Sequence, residues 1–218
     1  MEPPDQWCEQ RMWRQLNVET NTEYICAVTG LAFIVVPYVH APAELTDAHI
    51  MLHVVLTFLG LGTILYHVFP NFESNSQATI YEFDWYPMVF TCAFLVFIYL
   101  FHLKKYLSEL GVYVLYYAYM CWFMFLVLSV YHIDVVIRNA VMVSVPVFVL
   151  FCYSVAILGS RSFYTWSLLV VSLLIWQLNK SLCHQQYWMA TFHGIYHVLM
   201  AFALWHAGCL GLDVAKLA

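Results

Sequence analysis

Thr191-Phe-His-Gly-Ile-Tyr-His-Val198 decides how this chain is read. It places His193 and His197 one helical turn apart near the start of an apolar run, 187–211, long enough to cross a bilayer. Two imidazoles at i and i+4 share one helix face, with Cβ atoms about 5–6 Å apart, a spacing that suits chelation of one metal ion. An ionisable pair inside a membrane segment is costly, so it marks a functional site unless something else explains it.

Composition sets the surroundings of that pair. Of 218 residues, 63% are hydrophobic and 10% are charged, and the mean hydropathy is +0.74. A soluble domain of this size could not hide so much apolar surface, so lipid is the expected solvent. Apolar runs of spanning length fall near 24–42, 47–69, 86–103, 111–131, 136–158, 163–182 and 187–211. The breaks between them carry turn and charge signals such as Ala41-Pro42-Ala43-Glu44, Lys104-Lys105 and Gly159-Ser160-Arg161. The expected fold is all-α: a polytopic membrane protein whose single seven-helix domain covers 1–218, with a short extramembrane segment at 1–22. The acidic start has no basic stretch before an apolar run, so no cleaved signal peptide is expected. A net charge of -5 without a basic cluster argues against nucleic acid and against a polybasic lipid anchor. Nothing in the sequence points to a protein partner.

Seven spans place the termini on opposite sides. Arg11, Arg14, Arg138 and Lys180 then face one side and Lys104, Lys105, Arg161 and Lys216 the other, so charge leaves the orientation open. Parity says more. The second run ends at His67 on the N-terminal side, the third begins there just after Asp84, and the seventh begins there with His193 and His197. Three histidines and a carboxylate, far apart in sequence, are thereby brought to one membrane face. His206 lies deep toward the far side, and His40, His49, His53 and His102 belong to the opposite leaflet or its loops. His132 and His184 sit at loop edges, and a structural role is the better reading for all of these.

Three histidines with an open fourth position make a catalytic zinc arrangement, since structural sites are normally closed by four protein ligands. Asp84 could accept a proton from a zinc-activated water and pass it to a leaving group. Thr63, four residues before His67, shares its helix face and could hydrogen-bond an oxyanion, or bond back to its own helix. Asp84 could equally be a helix N-cap, with Pro87 in the first turn. Among seven cysteines, Cys26, Cys92, Cys121, Cys152 and Cys209 read as small buried hydrophobes. Cys8 and Cys183 fall outside the apolar runs and could pair if both face an oxidising lumen, as in the endoplasmic reticulum or Golgi.

Gly62-Thr-Ile-Leu-Tyr-His67, Asp84-Trp-Tyr-Pro-Met88 and Phe192-His-Gly-Ile-Tyr-His197 resemble the three zinc-site motifs of the alkaline ceramidases. These belong to a wider group of seven-helix membrane hydrolases that includes the adiponectin receptors and the GPI-lipid remodelling proteins. Trp7-Cys-Glu9 and Trp176-Gln-Leu-Asn-Lys-Ser-Leu-Cys183 resemble two further ceramidase stretches, so the likeness runs the length of the chain. The resemblance implies zinc on His67, His193 and His197, proton transfer by Asp84, carbonyl polarisation by Thr63 and a Cys8–Cys183 disulfide. It also implies hydrolysis of the amide of a ceramide-like sphingolipid to a fatty acid and a sphingoid base. Three departures stand out. Thr63 replaces the family's usual Ser, and the loop from His67 to Asp84 is longer than usual. In the family's calcium segment, Gln6 and Arg11 replace an Asp and an Asn. Glu9 and Glu19 remain as calcium ligands, or Arg11 pairs with one of them in place of the ion.

Three other functions fit the same residues. One is an esterase acting on a GPI lipid or a phospholipid. Another is a non-enzymatic lipid receptor that keeps its zinc behind a fourth protein ligand. The last is a proton or metal transporter, which would need polar groups at several depths, whereas here they gather at one face.

Overall fold

The computed structural model describes residues 8–18, 22–69, 77–102, 107–128, 159–183 and 186–216, and every described element is helical. The helices are α1 (Cys8–Gln15), α2 (Tyr24–Gly30), α3 (Ala32–Val39), α4 (Asp47–Val68), α5 (Gln77–His102), α6 (Glu109–Leu128), α7 (Ser160–Leu182) and α8 (Ala190–Lys216). A 3-10 turn at Tyr187–Met189 leads into α8.

α8 is the hub: it packs on α2, α3, α4, α5 and, most extensively, α7. The core between these helices holds Leu52, Leu56 and Leu59 from α4, Leu95, Val96 and Tyr99 from α5, Trp166 from α7, and Ala201 and Trp205 from α8. Small residues allow the close approaches. A Cβ on Gly60 of α4 would stand 3.0 Å from the Gly30 carbonyl of α2, so α4 and α2 pack nearly backbone to backbone there. A second, smaller core ties α1 to the start of α8 through Met12, Met189 and Ala190. It lays α1 across the end of the bundle where His193 lies.

The first helical pair is a single rod with a tightened joint. Leu31 donates its N–H to the Val28 carbonyl at 3.1 Å, an i to i+3 bond, and α3 resumes beyond it. α4 opens with a reciprocal cap: the Thr46 hydroxyl accepts from the His49 N–H, and the His49 ring takes the Thr46 N–H. That cap explains a buried histidine far from the metal-suited pair, as expected for His49.

Among the described residues, two helices are long and apolar enough to cross a membrane, Asp47–Val68 and Ala190–Asp213. The expected count of seven crossings is therefore not supported, and the departures have physical reasons. The run at 24–42 forms an apolar helical stretch, Tyr24–Val39, that is shorter than a span. α5 has a shorter apolar stretch, Tyr86–Leu100. α7 carries Ser, Thr, Gln and Asn among its Leu and Val residues, which dilutes its hydropathy. The run expected at 136–158 lies outside the described residues. Large apolar side chains stand exposed on several helices, among them Val28, Tyr38, Phe58, Leu110 and Phe163.

One local expectation is overturned. Asp84 is not a helix N-cap, because α5 starts at Gln77 and carries Asp84 two turns inside, with Pro87 also in the helix interior. The polar first turns, Gln77-Ala-Thr-Ile-Tyr-Glu, extend a helix that apolarity alone begins near residue 86.

Candidate metal centre

His67 sits in the last turn of α4, and His193 and His197 occupy the first two turns of α8. The packing of α8 on α4 and α2 brings the three rings together. Their centroids are 5.1 Å (His67–His193), 5.2 Å (His67–His197) and 4.7 Å (His193–His197) apart. All three side chains are buried. Cys26 of α2 joins them: its sulfur and one ring nitrogen each from His67 and His193 lie within 4.8 Å of one another, a group able to hold a metal ion.

The segment before α2 docks on the C-terminal end of α4. Thr22 donates its hydroxyl to the Val68 carbonyl at 3.2 Å, and the Glu23 N–H reaches the His67 carbonyl at 2.9 Å. This delivers the Glu23 carboxyl to His67 Nδ1 at 2.5 Å, with both side chains buried. A carboxyl on Nδ1 sets that nitrogen aside for the hydrogen bond and leaves Nε2 to face the other rings. Burial and the nearby Glu9 carboxylate push the Glu23 carboxyl up to about 9. Its second oxygen, Oε1, is buried without a hydrogen-bond partner among the described residues.

His197 is oriented by α2. Its Nδ1 lies 3.3 Å from the Cys26 carbonyl and 3.2 Å from the Thr29 hydroxyl. A carbonyl only accepts, and Thr29 already donates to the Ile25 carbonyl at 2.7 Å. Nδ1 is therefore the protonated nitrogen, and Nε2 carries the lone pair that a metal needs.

Thr63 and Asp84 meet directly. The Thr63 hydroxyl donates to Asp84 Oδ1 at 2.6 Å, so it does not bond back to its own helix but crosses to α5. Burial raises the Asp84 carboxyl to about 6, opposed by that hydrogen bond, which favours the carboxylate.

Glu9 does something the sequence did not foretell. Its carboxylate crosses from α1 to the first turn of α2, accepting the Ile25 N–H at 2.6 Å, the Cys26 N–H at 3.1 Å and the Trp13 indole N–H at 3.0 Å. Glu23, in the N-cap position of α2, makes no side-chain cap of its own. Glu9 thus supplies the cap from another helix, and the α2 N-terminus favours its negative charge. Glu19, Gln6 and the Arg11 side chain lie outside the described residues, so the calcium set is not described as a group. Cys183 is disulfide-bonded, while the Cys8 side chain lies outside the description.

Sequence reading missed three contributors. Glu23, Cys26 and Gly30 follow an i, i+3, i+7 pattern, so the face of α2 toward the centre carries a carboxyl, a thiol and a gap for α4. Parity placed Glu23 on the same end as His67, a signal that was present but unread. Cys26 is buried, as expected of it, and its sulfur lies close to two imidazoles.

Comparison with protein-family models and with curated proteins finds no match to this chain.

Proposed function

We propose that the chain is a membrane-embedded, zinc-dependent amidohydrolase that cleaves the amide of ceramide-like sphingolipids. The observation that carries this reading is the convergence of His67, His193 and His197, with Thr63 and Asp84 hydrogen-bonded to each other. The donor set suits zinc: neutral imidazoles, with Nδ1 of His67 and of His197 each held by an oxygen partner. Bound there, zinc would supply an activated water and polarise the amide carbonyl.

The chain's own residues do the rest. Glu23 fixes the ring of His67, and the Cys26 carbonyl with Thr29 fixes the ring of His197. Asp84 accepts the proton of the attacking water and delivers it to the departing amine nitrogen. Once Asp84 carries that proton it can donate to Thr63 Oγ1, which frees the Thr63 hydroxyl hydrogen to turn toward the oxyanion. The 2.6 Å Thr63–Asp84 contact makes the two events one relay.

Two long apolar helices and the exposed apolar side chains support placing the chain in a membrane, with seven crossings as the proposed count. The α1 contacts with the Tyr187–Met189 turn support Cys8 as the partner of Cys183. A disulfide there would suit an end that faces an oxidising lumen, as in the endoplasmic reticulum or Golgi. Calcium is not part of the reading, because three N–H donors already engage the Glu9 carboxylate.

A second reading has an observation of its own. Cys26 groups with His67 and His193 as a candidate ligand, and with His197 added the set would close at four, the structural kind, as in a lipid receptor that keeps its metal. Incubating the purified protein with ceramides, GPI lipids and phospholipids, with products identified by mass, separates the readings. The proposal expects a free fatty acid and a sphingoid base from ceramide. Fatty acid from the glycerolipids alone would make it an esterase, and no product from any lipid would favour the receptor.

A further inference from the structure

We propose that the Cys26 thiolate is a direct ligand of the bound metal, the fourth beside His67, His193 and His197, and that it fills the position a catalytic site leaves to water. The proposal rests on the zinc centre argued above but not on hydrolysis.

Its first support is position. The Cys26 sulfur and one nitrogen each of His67 and His193 lie within 4.8 Å of one another. Zinc–sulfur and zinc–nitrogen bonds of about 2.3 and 2.1 Å at tetrahedral angles place ligand atoms roughly 3.6 Å apart. A modest inward shift on metal binding completes that geometry.

The second support is how firmly Cys26 is held. Its N–H is taken by Glu9 Oε2 at 3.1 Å, and its carbonyl lies 3.3 Å from Nδ1 of His197. The residue that orients one histidine thus offers its own side chain to the same centre. Two other anchors, Glu23 on His67 and Thr29 on His197, fix α2 in the same register. Cys92, by contrast, lines a mostly apolar cavity with Leu95, Trp166 and Leu169. Cys26 lies among imidazoles, and thiolate with imidazole is a donor combination zinc favours.

The consequence is a centre closed at rest. Four protein ligands leave no open position, so hydrolysis needs the sulfur to withdraw. Where the protein hydrolyses lipid, replacing Cys26 with Ser removes a strong ligand and should speed turnover several-fold per bound zinc.

X-ray absorption at the zinc edge of the full-length protein in detergent tests the assignment. We expect one sulfur neighbour at about 2.3 Å beside nitrogen at about 2.0–2.1 Å, with the sulfur lost in Cys26→Ser. Should that variant fail to fold, the cobalt-substituted native protein gives the same answer through a near-ultraviolet thiolate-to-cobalt band. A shell of nitrogen and oxygen alone, or a sulfur that persists in Cys26→Ser, overturns the proposal. A sulfur shell in a protein that cleaves no lipid would keep the ligand and remove the hydrolase. A nitrogen and oxygen shell in an active protein would do the reverse, and a protein that binds no metal would remove both.

Discussion

Removing the carboxyl of Glu23 should loosen the metal without touching a ligand. Glu23 Oε2 sits 2.5 Å from His67 Nδ1, and both side chains are buried, so no water stands ready to replace it. Partners of this kind, which orient a ligating imidazole and raise its basicity, typically contribute 10–100-fold to metal affinity, or about 1.4–2.7 kcal/mol. Glu23→Ala should fall at the upper end, because it removes the buried oxygen that holds the His67 ring. Glu23→Gln should fall near the lower end. Its amide oxygen can still accept from Nδ1, so the ring keeps its orientation, while its NH2 stands where Oε1 has no partner among the described residues. Zinc dissociation constants, measured by competition with a chromogenic chelator in detergent, would rank the proteins native, Gln, Ala. Melting temperatures taken without metal separate loss of affinity from loss of fold. If Glu23→Ala binds zinc as tightly as the native protein, the Glu23–His67 pair does not serve the centre and the reasoning fails.

Thr63→Ala should retain zinc yet lose about 10²–10³ in lipid turnover, the usual worth of one oxyanion donor, while Thr63→Ser should recover most of it. Equal turnover in the Ala variant would remove Thr63 from the relay. Gly194→Ala would place a methyl 2.8 Å from Ile25 Cγ2 and 3.1 Å from Thr29 Cγ2, pushing α2 from α8. Overpacking costs about 1–3 kcal/mol and the helix gains about 1 from losing a glycine. Chemical denaturation should therefore show a net loss below about 2 kcal/mol, together with weaker zinc binding. A chelator selective for calcium should leave melting and turnover unchanged, whereas Glu9→Ala should cost about 1–3 kcal/mol by stripping the cap of α2. A calcium-dependent melting temperature would instead return Glu9 to the ion.

Much of the site could be read before the fold was known. The run ending at His67 and the run opening with His193 and His197 are α4 and α8, and counting crossings put their histidines at one end. That inference needs only helix length and alternation of direction. The contributions of α1 and α2 could not be read the same way. Glu9 caps a helix that is not its own, and Cys26 turns a thiol toward rings more than forty residues away in sequence. Both depend on how α1 and α2 dock, and no local pattern encodes that. The start of α5 was hidden for a different reason: its first turns are polar, and hydropathy sees only the stretch that begins after Asp84. Of the expected crossings, two are long and apolar enough among the described residues, because apolar length in the sequence overlooks how short the helical stretch Tyr24–Val39 is and how polar residues dilute α7.

The central claim is that the three converging histidines hold a zinc ion that hydrolyses a lipid amide. Its most direct test is fatty-acid release from a long-chain ceramide by the purified native protein and by His193→Ala, with zinc measured in each preparation. About one zinc per chain and steady release are expected of the native protein, with both lost in the variant. Full turnover by His193→Ala would contradict it.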